Sequence, residues 1–214
     1  MLFLPIGCLI FLFFILALPL LFLLGYFQIV TIGFGKLGIP SEFTFLILIS
    51  LLLGSLINIP LGRRKVFIQE RRVFGLFNLR QTEVQGLAVN LGGAVIPILI
   101  SVYFLTKIPW QPVAAATFLM VFIANYLAKV VPGRGVSLPA LIPPVFSAIF
   151  ALLLAPDFAA PTAFISGTLG VLLGADILNL KKIQEYGGYA SIGGAGVFDG
   201  IFLVGIISAL LAGF

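Results

Sequence analysis

Two aspartates stand where hydrocarbon is the expected surrounding. Asp176 lies in "GTLGVLLGADILNL", residues 167–180, and Asp199 lies in "SIGGAGVFDGIFLVGI", residues 191–206. A charged side chain at the centre of a membrane helix costs about 2.5 to 3.5 kcal/mol on insertion scales, so each aspartate must face protein or water. Two carboxylates a few ångströms apart in a poorly hydrated site cannot both be ionised, and they titrate as a pair. One ionised and one protonated aspartate can activate water toward an amide and donate to its carbonyl, the chemistry of aspartic proteases. The same pair can bind and release a proton or cation in a transporter, or simply tie two helices together by a hydrogen bond. All three readings remain open at this point.

The elements that must position these residues are apolar helices. Of 214 residues, 61% are apolar and 9% charged, and the mean hydropathy is +1.25. Too few charges are present to cover a water-soluble surface of this size, so the chain is expected in a membrane. The absence of His removes His-based acid–base and nucleophile pairs, and with one cysteine, Cys8, neither a metal nor another cofactor is expected. The net charge of +5 is spread between apolar runs, which argues against nucleic acid and for orientation signals and anionic headgroups.

At about 20 residues per crossing, seven stretches are candidate spans: Leu2 to Phe27, Pro40 to Ile59, Gly86 to Leu105, Gln111 to Val130, Leu138 to Leu154, Ala160 to Leu180 and Ser191 to Phe214. The first is read as a retained span, because it lacks a basic start and a small-residue cleavage pattern. The fifth, with Pro139, Pro143 and Pro144, either crosses fully or is re-entrant. Ten of the twelve Lys and Arg residues fall after spans two, four and six, leaving Lys36 and Lys107 on the other side. The positive-inside rule then puts the N-terminus in and the C-terminus out, in a cytoplasmic (inner) membrane. The fold class expected is an all-α polytopic bundle of about seven spans, one membrane domain over 1–214, with a basic cytoplasmic loop at 61–85. That loop, with Arg63 to Arg80, suits headgroup contact, and its periodicity fits a β-hairpin and an amphipathic helix equally.

In this frame Asp176 lies five residues before Lys181, about 7 Å inside the cytoplasmic boundary, and Asp199 eight residues after Ser191, about 12 Å in. Consecutive antiparallel helices joined by a short loop are usually neighbours, which allows the carboxylates to meet. Gly170 with Gly174, and Gly196 with Gly200, form two GxxxG pairs suited to close helix packing. Asn90, Asn125 and Lys129 are candidate polar partners. The plainer expectation is interhelical hydrogen bonding for Asn58, Asn90 and Asn125, and snorkelling for Lys129. Trp110, Tyr103 and Tyr126 suit an interfacial aromatic belt. The "GGA" recurrence at Gly92 and Gly193 is too short to mark an inverted repeat. Neither a substrate nor an oligomeric state is legible.

The blocks "GSLINIPL", "AVNLGGAVIP", "PGRGVSLPALIPP", "GADILNL" and "SIGGAGVFDGIFL" resemble a prokaryotic multi-pass membrane family, the domain of unknown function 1614 type. That resemblance implies several membrane helices and no assigned activity. More locally, Asp176, Asp199 and the tripeptide Pro139, Ala140, Leu141 resemble intramembrane aspartyl proteases of the presenilin and signal-peptide-peptidase type. In those enzymes the two aspartates sit on successive helices running in and out of the cytoplasmic side. The resemblance implies a catalytic dyad of Asp176 and Asp199, with Pro139 to Leu141 shaping a substrate groove. This chain departs from that pattern: Ala175 replaces a tyrosine, no Gly-x-Gly directly precedes Asp199, and Pro-Ala-Leu comes before the aspartates.

Overall fold

The computed structural model describes residues 6–73, 77–131, 135–185, 189–194 and 200–213. Helices dominate: α1 (Ile6–Lys36), α2 (Ser41–Ser55), α3 (Ile96–Leu105), α4 (Trp110–Leu127), α5 (Ile142–Leu154), α6 (Ala159–Val171), the short α7 (Leu180–Glu185) and α8 (Gly200–Ala212). Among the described residues, three helical stretches are long and apolar enough to cross a membrane: Phe11–Lys36, Trp110–Leu127 and Pro156–Ile177. Four shorter apolar helices, Ser41–Ser55, Leu91–Leu105, Ile142–Leu154 and Ile201–Ala212, accompany them. Large apolar side chains such as Phe118, Phe122 and Leu153 lie exposed on the outer faces. A surface of this kind is stable in lipid and not in water, and the chain is a membrane protein.

Burial ranks the helices. The span containing α6 is 78% buried and that containing α1 is 6% buried, so α6 is the axis of the bundle and α1 lies at its edge. Around α6 pack α3, α4, α5 and α8. Phe164 of α6 meets Phe104 of α3 edge-on, with ring centroids 6.0 Å apart. From α1, Val30 and Phe34 are fully buried, and Phe34 lies 6.2 Å from Phe202 of α8.

The expectation of an all-α bundle is corrected by a sheet. Strands β1 (Asn58–Val73) and β2 (Phe77–Asn90) form a long antiparallel hairpin, and β5 (Tyr189–Ile192) adds to β2 in parallel, in the order β1-β2-β5. The 61–85 loop is therefore a hairpin and not an amphipathic helix. Its Val, Phe and Ile residues suit a strand, and no apolar stripe recurs at helical spacing. A register shift between Leu61 and Lys65 contains Gly62, whose φ of +93° is open to glycine at little cost. A second, two-stranded hairpin pairs β3 (Lys129–Val131) with β4 (Gly135–Ser137).

The sheet also shortens three expected spans, and Asn58 and Ile59, the last residues of the second, belong to β1. Gly86 to Asn90 belongs to β2 and Ser191 to Ile192 to β5, although both begin runs that look like membrane helices. Short apolar runs fit a buried strand and a helix equally, and pairing decides between them. With β1 on one edge of β2 and β5 on the other, the backbone groups of this segment are satisfied inside protein.

β2 leads into a π-helical turn, Leu91–Val95, that opens the helix continuing as α3, and its Gly92-Gly93 pair meets Gly193-Gly194, the turn after β5. A Cβ at Gly93 would collide with the Gly193 carbonyl, and Gly193 itself has φ +67°. The two Gly-Gly pairs thus mark a contact between the start of a helix and the turn after β5. Fully buried Asn90 locks it. Its Nδ2 donates to Ser55 O at 2.7 Å and Asn58 Oδ1 at 3.2 Å, and its Oδ1 accepts from Gly93 N at 2.7 Å. Ser191 Oγ donates to the same Asn58 Oδ1 at 2.5 Å, tying β5 into the network.

Candidate functional site

Asp176 is presented by an irregular turn. After Val171 the chain widens into a π-helical segment, Leu172–Ile177, in which Leu178 N donates to Leu173 O at 2.9 Å. Such one-turn insertions re-aim side chains that a regular helix would leave facing lipid. Close packing holds the segment in place. A Cβ at Gly170 would stand 2.6 Å from Met120 Cβ, and one at Gly174 would collide with Val121 O. Both glycines therefore face α4. The approach of α6 to α8 runs through other glycines: a Cβ at Gly167 would lie 2.9 Å from Ser208 Oγ, and one at Gly205 would collide with Thr168 Oγ1. Gly200 is the first residue of α8, while Gly196 lies outside the described residues.

Asn179, which the sequence alone does not single out as a site residue, closes the turn. It is buried, and its Nδ2 lies 3.0 Å from Ala175 O, 3.3 Å from Gly174 O and 3.2 Å from Asn125 Oδ1. It thus serves carbonyls at the helix end, which lack backbone donors, and links them to α4. The available signal was a second polar side chain three positions after Asp176 in an otherwise apolar run.

Asp176 is half-buried, and its Oδ2 accepts from Gly193 N at 3.2 Å, in the turn after β5. It lines a cavity of about 250 Å³ with Val136, Ser137, Leu138, Val171, Ala175 and Ile201. The space admits several waters, with the carboxylate and the Ser137 hydroxyl as polar partners. Three segments converge here: the π-helical turn, the run just before Pro139, and the start of α8.

The other candidate residues fall as follows. Asp199 lies outside the described residues; Ile201, two positions later, is in the cavity wall. Pro139, Ala140 and Leu141 are exposed at the entry to α5, and the wall contributed by their segment is Val136 to Leu138. Asn125 on α4 bonds Asn179, and Asn90 bonds the turn at Gly93. Lys129 is exposed on β3, where it pairs across the hairpin with Ser137 of the cavity wall.

Hydroxyls line the axis of the bundle beyond the cavity. Ser147 Oγ donates to Ala163 O at 2.8 Å and lies 2.8 Å from Ser166 Oγ. Thr162 and Thr168, also on α6, are fully buried with no side-chain partner among the described residues.

No curated protein and no solved structure matches the chain. A family model does match, over residues 52–211, from within α2 to near the end of α8. The chain belongs to that family, described as "Protein of unknown function (DUF1614)".

Proposed function

We propose that this chain is an intramembrane aspartyl protease of the inner membrane, with Asp176 and Asp199 as its catalytic pair. One observation carries the reading: the Asp176 carboxylate lines a cavity walled by Leu138, directly before Pro139-Ala140-Leu141, and by Ile201, two residues after Asp199. In this reading the seven apolar helices all cross, the short ones with help from the flanking sheet and turns. The N-terminus is in, the C-terminus out, and the basic hairpin meets anionic headgroups on the cytoplasmic side. Water enters from that side. The ionised carboxylate removes a proton from it as its oxygen attacks the scissile carbonyl, and the protonated carboxyl donates to the carbonyl oxygen. Collapse of the tetrahedral species breaks the C–N bond, with a proton passing to the leaving amine.

The test is cleavage of labelled single-span peptides by the purified full chain in lipid nanodiscs. Asp176→Asn and Asp199→Asn should each abolish cleavage while the protein remains folded. Cleavage that survives either change at more than a few per cent removes that residue from the chemistry.

A second reading, proton- or cation-coupled transport, is favoured by the buried hydroxyls of Thr162, Ser166 and Thr168 along α6. It calls for flux into proteoliposomes that Asp176→Asn stops and that requires no peptide bond.

A further inference from the structure

At the end of α3 remote from β2, an apolar groove of about 680 Å³ opens between α2 and α3. Its walls include Phe43 and Leu46 of α2 and Leu99 and Tyr103 of α3, all exposed at the rim, with buried Phe104 deeper in. The volume is that of a site for a small amphiphile. Among the described residues, Lys107 is the one charged residue in the lining. Its Nζ sits 5.6 Å from the centroid of the Tyr103 ring, and among the described residues no carboxylate pairs with it. Exposed Tyr103 and Trp110 flank this lysine, as aromatic side chains do at the headgroup level. From there α3 runs back for about 14 Å to Ile96, close to half of a hydrocarbon core of about 30 Å.

A cation at headgroup depth above an apolar slot one leaflet deep matches an amphiphile with an anionic head. We propose that this groove is a binding site for one anionic phospholipid, its phosphate on Lys107 and an acyl chain between α2 and α3. Charge complementarity and groove length both select this occupant. The site stands apart from the Asp176 cavity and does not depend on the proposed protease activity.

The test is native mass spectrometry of the full chain, released from mixed micelles containing phosphatidylglycerol and phosphatidylcholine of identical chains. A basic residue near an anionic surface is worth about 1 kcal/mol, a factor of about five. Lys107→Gln should therefore lower the preference for phosphatidylglycerol about fivefold while total retained lipid stays the same, and Lys107→Arg should preserve the preference. Leu99→Trp, which places an indole across the rim, should reduce retention of both lipids. Size-exclusion profiles confirm that each variant is folded. Equal retention of the two lipids by the unmodified chain, an unchanged preference in Lys107→Gln, or a second copy of the chain retained in place of lipid overturns the proposal.

Discussion

Asn179→Ala tests whether the turn that presents Asp176 is held by side-chain capping. The amide has two N–H donors, and three acceptors lie within 3.3 Å of its nitrogen: Ala175 O, Gly174 O and Asn125 Oδ1. A net hydrogen bond is worth about 1 kcal/mol, and a buried carbonyl left unsatisfied costs about 1 to 3 kcal/mol. Loss of Asn179 should therefore destabilise the protein by about 2 to 3 kcal/mol. Asn125→Ala removes only the side-chain pair between helices, which in membranes averages about 0.6 kcal/mol. Loss of helical circular dichroism during denaturant titration in mixed micelles reads the stability of each variant. The expected order is Asn179→Ala well below Asn125→Ala, with a coupling of about 0.6 kcal/mol in the double variant. If Asn179→Ala costs no more than Asn125→Ala, the capping argument is wrong.

Gly193→Ala should destabilise by about 2 kcal/mol or more. It combines a left-handed φ of +67° with a Cβ 2.6 Å from Gly93 C, and hydrogen exchange at the Gly193 amide, which Asp176 accepts, should accelerate. Ser147→Ala loses two buried bonds of 2.8 Å, to Ala163 O and Ser166 Oγ, and should cost about 1 kcal/mol in the same denaturation assay. Ser50→Ala serves as its control: that hydroxyl bonds only Leu46 O in its own helix, at 2.8 Å, and the change should be nearly neutral.

The apolar helices are legible because a span's apolar length is dictated by the hydrocarbon itself. The sheet is not. "GLAVN" and "YASI" are apolar in a chain where apolar otherwise means helix, and only the partners β1, β2 and β5 make strands of them. Asp176 stands out in the sequence because burying a carboxylate is costly. The π-helical turn that aims it does not, since the close approach of α4 at Gly174 appears only with tertiary packing. For the same reason Gly170 and Gly174 cannot be assigned to α4 from their spacing alone. The GxxxG pattern says that something approaches closely, without saying what.

The most direct measurement of the central claim is cross-linking of Asp176→Cys with Asp199→Cys, in a background where exposed Cys8 is replaced by Ala. The shortest bis-methanethiosulfonate reagents are applied in native membranes, with Asn125→Cys/Asn179→Cys, whose parent side chains touch at 3.2 Å, as the positive control. Efficient linkage of positions 176 and 199 is the expected result. Linkage of the control pair alone would contradict a shared site and leave Asp176 without its catalytic partner.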